Sequence, residues 1–223
     1  MASLIVSKER VTDYGEVLTA PREVNAMLDL VKQETERIES RFLEPACGNG
    51  NFLAEILERK LRVVQTRYAR SQLDYERKAG LAVSTIYGID LLEDNVAACR
   101  RRLSGIFDRH YSILFKDSAR DECCDAVRYI LERSIIHGDA LSLKSAGPVQ
   151  QPIIFSEWSF PFNNSLLKRR DYTFSELLRD GDAKQPNLFI HEQYSDLGQR
   201  TFIPQELTSF PLIHFLKVRQ HDE

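Results

Sequence analysis

Arg41-Phe42-Leu43-Glu44-Pro45-Ala46-Cys47-Gly48-Asn49-Gly50-Asn51-Phe52-Leu53 is the stretch that decides the fold. It reads as a short buried strand running into a glycine turn, and the turn opens a helix at Asn51 or Phe52. Two glycines one residue apart let the backbone pass close to a ligand, because neither carries a Cβ to hold it away. The helix start that follows offers unpaired N–H groups to polar ligand atoms. An ordinary strand-to-helix turn has the same signature, so the pattern alone leaves both readings open. A dinucleotide fingerprint would place a third glycine at position 53; Leu53 stands there, which disfavours a nicotinamide or flavin site.

Glu44-Pro45-Ala46-Cys47-Gly48-Asn49-Gly50-Asn51-Phe52-Leu53 closely resembles the S-adenosylmethionine loop of amino-methylating DNA methyltransferases, usually Asp/Asn-Pro-Ala-Cys-Gly-Ser-Gly-Asn-Phe-Leu. Those enzymes occur mainly in bacterial restriction–modification systems. The resemblance implies a Rossmann-like α/β domain with a mainly parallel central sheet. It also implies S-adenosylmethionine as cofactor, DNA as partner, and cofactor contacts from Glu44, Pro45, Ala46, Cys47, Gly48, Gly50, Asn51 and Phe52.

The chain has 223 residues, enough for one full core, with 43% hydrophobic and 28% charged residues, a globular balance. No apolar run approaches the ~18 residues of a membrane span, and Met1 to Val6 lack the form of a secretory signal. A cytoplasmic location is expected. Cys47, Cys99, Cys123 and Cys124 make neither a metal-ligand spacing nor a disulfide framework, so free thiols and no metal site are expected. The net charge of −3 and pI near 6.0 supply no global field for DNA, which leaves local basic clusters or a second subunit to make that contact.

Three segments are expected: an N-terminal helical segment over 1–40, a cofactor-binding core over 41–165 and a strand-and-loop extension over 166–223. An amphipathic helix begins near Pro21, with Val24, Met27, Leu28, Leu30 and Val31 at near-helical spacing. The preceding stretch, Asp13 to Pro21, is similar to the family segment Gly-x-x-x-Thr-Pro-x-x-Val that lies over the methionine end of the cofactor; Ala20 separates Thr19 from Pro21 here. Arg59, Lys60, Arg62, Arg67 and Arg70 read as a solvated helix face.

Leu81 to Asp90 reads as the next strand, and its terminal carboxylate can accept both hydroxyls of a ribose. Tyr87-Gly88-Ile89-Asp90-Leu91 looks like the family's second cofactor motif. Helix is expected from Glu93 to Arg133, broken between Ser104 and Ser118, with Arg100-Arg101-Arg102 on a solvated face. Ser134-Ile135-Ile136 then forms a third strand. His137-Gly138-Asp139-Ala140-Leu141 resembles the family's Gly-Asp-Ala-Leu, which implies that Asp139 accepts from the adenine amine and that Ala140 packs near the ring. His137 reads as a strand-end residue. Glu44, Asp90 and Asp139 are thus expected at the carboxyl ends of neighbouring parallel strands, where ligands sit in such sheets.

Pro152-Ile153-Ile154-Phe155 is expected as a fourth strand, leading to Ser156-Glu157-Trp158-Ser159-Phe160-Pro161-Phe162. Here the family carries Asn/Asp/Ser-Pro-Pro-Tyr/Phe/Trp, which aligns the target amine and stacks a flipped base. Ser159, Pro161 and Phe162 are the matching catalytic candidates, and Phe160 replaces the first proline. An apolar strand exit without catalytic role fits the same residues. Lys168-Arg169-Arg170 is the local candidate for phosphate contact. Pro186 to Ile190, Thr201 to Ile203 and Leu212 to Leu216 read as short strand-like pieces, an incomplete end for a methyltransferase sheet.

The expectation is an S-adenosylmethionine-dependent DNA adenine methyltransferase, or the cofactor-binding subunit of one, with a second restriction–modification subunit supplying what is missing. A non-catalytic cofactor-binding subunit, or a methyltransferase acting on protein or a small molecule, is the alternative.

Overall fold

The computed structural model describes residues 10, 19–162, 164–178, 193–194, 200–201 and 204–222. The expected strand-like piece at Pro186 to Ile190 and most of the segment from Asp13 to Pro21 lie outside the described residues.

Among them, the chain is mixed α/β. A short helix, α1 (Pro21–Asp29), begins with proline at its first position, and the Glu23 carboxylate accepts the Ala20 amide at 3.0 Å. A single turn, α2 (Lys32–Thr35), leads to strand β1 (Phe42–Glu44). After the glycine loop come α3 (Asn51–Tyr68) and α4 (Gln72–Ser84), then β2 (Ile86–Asp90). Next are α5 (Glu93–Phe115), α6 (Asp121–Ser134) and β3 (Ile135–Asp139). Each parallel connection is therefore a pair of helices.

The expected break between Ser104 and Ser118 lies at its far end instead. Val96, Cys99, Leu103, Ile106, Phe107 and Tyr111 keep one apolar face buried throughout α5, and the chain turns at Lys116, whose φ is +46°. The expected strand start at Leu81 is also corrected, because residues 81–84 finish α4. Ala82 and Val83 continue the packing of Tyr75 and Ala79 in the main core.

α3 packs on α4 and α5, and α6 packs on both of those, so the four helices form a square over the strands. The sheet order is β1-β2-β3-β4, with β1, β2 and β3 parallel and the two-residue β4 (Lys144–Ser145) antiparallel at the edge. The register pairs Leu43 with Tyr87 and Ile89 with Ile136. Since side chains alternate across a sheet, these four share one face, and Glu44, Ile86, Gly88, Asp90, Ile135, His137 and Asp139 share the other. The helices cover the second face, where Ile86 and Ile135 join the main core. Val24, Leu28, Ile38, Phe215 and Val218 enter the same core, so all three expected segments contribute to it.

The opposite face carries a smaller cluster, in which Ile153, Phe155 and Phe174 close over Ile89. These come from β5 (Ile154–Ser159), its antiparallel partner β6 (Leu166–Thr173) and the turn α7 (Phe174–Leu177). The two-residue strands β7 (Gln193–Tyr194) and β8 (Arg200–Thr201) pair with each other, while β9 (Thr208–Ser209) and β10 (Ile213–His214) add to β6. A final 3₁₀ segment, Phe215–Asp222, packs on α6.

The expected fourth strand therefore does not join the parallel sheet. A parallel addition needs a crossover of a dozen or more residues, usually a helix. Residues 140–153 instead make a turn and bridge, with Leu143 at φ +60° and Ile153 N–H donating to Leu143 O at 2.9 Å. That reversal sends β5 back across the sheet.

Two of the five basic residues expected on a solvated face are buried. Arg59 pairs with Asp29 at 2.8 Å and Glu55 at 3.0 Å. Lys60 is fully buried and donates to Ile38 O at 3.1 Å, to Ser40 O and to Thr85 Oγ1 at 2.5 Å, with Phe42 beneath the ammonium. All four cysteines are free thiols. Among the described residues, no helix is long and apolar enough to cross a membrane and no His, Cys, Asp and Glu group could hold a metal ion.

Candidate functional site

The glycine loop is built by hydrogen bonds on both sides. Cys47 N–H donates to Ile89 O at 2.9 Å, which carries the β1–β2 ladder past the end of β1. Gly50 N–H then donates to Cys47 O at 2.8 Å and closes a turn. Gly48 and Gly50 have φ of +51° and +84°, the left-handed region that glycine enters without penalty. Gly50 is needed for a second reason. A Cβ there would lie 2.6 Å from Cys99 Sγ, so the absence of a side chain lets α3 start against α5. Gly88 works likewise on the β2 side, where a Cβ would lie 3.0 Å from Cys47 Sγ and 2.9 Å from Leu53.

Asp90, at the end of β2, holds this loop. Its Oδ2 accepts Gly48 N–H at 2.7 Å; its Oδ1 accepts Leu92 N–H at 2.9 Å and Asn95 Nδ2 at 3.2 Å. An ionised carboxylate offers about four acceptor positions. Three are taken within the protein, so the carboxylate can receive one further donor without rearrangement. Sequence reading expected it to be free for two.

Glu44, Asp90 and Asp139 lie on the helix-covered face, each at the carboxyl end of its strand. The register staggers them: Glu44 is level with Gly88, and Asp139 lies two positions beyond the level of Asp90. With strands about 4.8 Å apart and about 3.3 Å of rise per residue, the three acids run along a diagonal roughly 16 Å long. Burial pushes the Glu44 carboxyl up from its ordinary value, opposed by the Ala46 amide. Asp139 is held low by the Leu141 amide and the Ser142 hydroxyl. The Cys47 thiol is driven far up, first by its hydrogen bond with Cys99 and then by burial, so it stays protonated and is no nucleophile.

Beside Asp90 and Asp139 stand apolar side chains in water. Leu91 is 50% exposed and Leu141 is 95% exposed. His137 was expected at a strand end, but β3 runs on to Asp139 and places it mid-strand, where its Nε2 lies 3.1 Å from Leu91 O and ties the β2 turn to β3. Ala140 packs on the smaller cluster. Pro45 and Ala46 are exposed on the loop, and Phe52 packs on the main core. Thr19 reaches the loop by its backbone, accepting Asn51 Nδ2 at 3.0 Å, and Pro21 lies one helical start away.

A stripe of α5 faces this loop that sequence reading overlooked. Asn95 binds Asp90, Cys99 abuts Gly50, and Arg102 Nη1 donates to Asn51 Oδ1 at 2.5 Å and Asn49 Oδ1 at 3.4 Å. Their spacing of four and three residues is one helical face, and that periodicity was the signal available. Arg10 adds an outer contact, donating to Asp94 at 2.6 Å and Asn95 at 3.3 Å. Arg101 and Arg102 are exposed, as the solvated-face reading expected, whereas Arg100 is half-buried and donates to Ile135 O at 3.0 Å and Glu132 O at 2.9 Å.

The catalytic candidates are not brought to this place. β5 leaves the carboxyl end of β3, where a Cβ on Gly138 would sit 2.8 Å from Ile153. It passes Tyr87, whose hydroxyl donates to Ser156 O at 3.2 Å, and reaches Arg41, which precedes β1 and pairs with Glu157. Ser159 then pairs with Lys168, and the Phe160 ring lies tilted against Phe215 at 6.0 Å between centroids, with Phe215 packing on Gly80 of α4. Ser159, Pro161 and Phe162 thus stand at the amino end of the parallel strands. The cofactor residues stand at the other.

The residues of the expected phosphate cluster each have partners within the protein, Arg170 from an exposed position. Arg169 is buried among Asp171, Asp222, Ser156 and Tyr129, Arg170 faces Glu157 and Glu206, and Lys168 donates to Phe210 O at 2.6 Å. Compared with family models, curated proteins and solved structures, the chain matches none.

Proposed function

We propose that this chain binds S-adenosylmethionine across the carboxyl ends of β1, β2 and β3, as the cofactor-binding part of an amino-methylating, adenine-type DNA methyltransferase of a restriction–modification system. The observation that carries this reading is the lock between the glycine loop and the β2 acid, Gly48 N–H to Asp90 Oδ2, on the same face and end as Asp139. The sheet and its helices are read accordingly as a Rossmann-like methyltransferase core.

The residues fit the group. Asp90 retains one acceptor position for a ribose hydroxyl, and a second hydroxyl would displace Asn95. Leu91 and Leu141 present apolar surface that a flat base would cover, and Asp139 is an accessible acceptor for an exocyclic amine. The first turn of α3 has no side-chain cap, so its N–H groups remain for polar ligand atoms. The acid diagonal matches an extended nucleoside with a tail. When bound, the cofactor supplies an activated sulfonium methyl; the chain's residues hold and orient it.

Transfer needs a second component on this reading. Ser159, Pro161 and Phe162 stand at the opposite end of the strands, so a partner polypeptide presents the target amine. Calorimetry of the chain with S-adenosylmethionine and S-adenosylhomocysteine tests binding, and absence of heat with both ends the proposal. Tritium transfer from labelled cofactor to DNA, with and without a candidate second subunit, tests the division of labour. Full transfer to DNA by the isolated chain refutes it.

A further inference from the structure

The three acids that line the site repel the carboxylate at the amino-acid end of the proposed cofactor, so that end requires a cation. Arg102 is the guanidinium that touches the glycine loop. It reaches Asn51 Oδ1 at 2.5 Å and Asn49 Oδ1 at 3.4 Å, both through Nη1. Both partners are neutral amides. Among the described residues neither Arg102 nor the adjacent Arg101 makes an ion pair, whereas Arg10, Arg59 and Arg109 are each matched to a carboxylate, Asp94, Asp29 with Glu55, and Glu58; of the two, Arg102 is the one in contact with the glycine loop.

Space is present beside it. A groove of about 470 Å³ runs between α1, α3 and α5, bordered by Arg102, Asn51 and Gly105 and also by Glu55 and Glu58, whose carboxylates are matched to Arg59 and Arg109. A Cβ on Gly105 would meet nothing within 4 Å, so this glycine leaves the floor open without serving the packing. Asn51 also holds Thr19 O, so a single amide links the guanidinium to the N-terminal segment. An arginine oriented by amides and not neutralised by an acid has its planar donor fork available for a carboxylate, which it can bind bidentately.

Resting on the cofactor reading above, we propose that Arg102 is the specificity-determining cation that takes the carboxylate of the ligand's amino-acid tail, with Asn49 and Asn51 holding it in place. Calorimetry of the wild-type chain and of Arg102→Ala and Arg102→Lys, with S-adenosylhomocysteine and its decarboxylated analogue, provides the test. Arg102→Ala is expected to weaken S-adenosylhomocysteine by about 10- to 100-fold, the range for a charged hydrogen bond, and to leave the decarboxylated analogue unchanged. Arg102→Lys recovers part of the loss, because it keeps the charge and gives up the fork. Equal weakening of both ligands assigns Arg102 to loop shape alone and overturns the proposal, as does unchanged affinity for S-adenosylhomocysteine. If the wild-type chain binds neither ligand, the cofactor reading itself has failed, a result visible before any substitution is made.

Discussion

Asp90 Oδ2 accepts the Gly48 amide at 2.7 Å across 42 residues of sequence, so the end of β2 fixes the turn that follows β1. The same carboxylate receives Leu92 and Asn95, which makes it both a loop clasp and a helix start. Asp90→Ala leaves the Gly48 amide without its acceptor and is expected to lower stability by about 1.5–3 kcal/mol, the range for a charged hydrogen bond. Urea unfolding measures this, together with loss of cofactor affinity. A variant as stable as the wild type would show that the clasp contributes nothing.

Gly50 combines a left-handed φ of +84° with a Cβ position 2.6 Å from Cys99 Sγ. Gly50→Ala therefore costs about 1–2 kcal/mol from the backbone alone, plus the overlap with sulfur. In the double variant with Cys99→Ala only the overlap is relieved, so part of the loss returns and part remains. Complete recovery in the denaturation midpoint would mean that the backbone tolerates alanine.

Leu141 and Leu91 stand in water beside Asp139 and Asp90. Leu141→Ser is expected to leave the thermal midpoint within a degree or two and to weaken nucleoside ligands about 10-fold, near the worth of burying part of a leucine. Fluorescence titration with S-adenosylhomocysteine reads the second effect. Unchanged affinity removes the base from this position.

Lys60 has its ammonium sealed from water, and burial lowers its pKa from 10.5 to about 7, against the pull of Glu39 and Glu34. Between those values the unfolded chain keeps a proton that the folded chain has released, so the contribution of Lys60 to stability rises with pH from about 7 to 10.5 and is least favourable below 7. Tyr75, Cys123 and Cys124 titrate in the opposite sense at high pH, because burial raises them. The difference between the wild type and Lys60→Met isolates the lysine. It should grow in favour of the wild type from pH 7 to 8.5, and a flat difference in midpoint across that range would contradict the assignment.

Ser159→Ala and Phe162→Ala are expected to leave S-adenosylhomocysteine affinity unchanged, because both residues lie at the amino end of the strands with β5 between them and the loop. Loss of affinity in either, with the fold retained by circular dichroism, would require a different path for β5.

Much of the carboxyl-end geometry was legible in the sequence because it is written in local order. Glycines at 48 and 50, an acid ending each apolar run, and the helical spacing between them are enough to place Glu44, Asp90 and Asp139 on one sheet edge. What was not legible depends on contacts distant in sequence. Lys60 and Arg59 look like surface charges until Ile38, Ser40, Thr85, Asp29 and Glu55 are brought round them. The run Arg100-Arg101-Arg102 divides into a carbonyl ligand, an exposed side chain and a loop contact because successive helical residues point about 100° apart. The direction of β5 was hidden for a further reason. Residues 140–153 choose between a crossover and a reversal by turn geometry at Leu143, a residue whose identity gives no warning of a positive φ.

Each passage from one parallel strand to the next is a pair of helices packed on each other, α3 with α4 and α5 with α6. Such pairs close over short sequence separations and so assemble early, whereas alignment of the strand tips has to wait until both pairs have docked. The last part of the molecule to acquire its shape during folding is then the edge bearing Glu44, Asp90 and Asp139. A ligand held there would select the finished state over every partly assembled one, and so would slow unfolding without hastening the folding reaction.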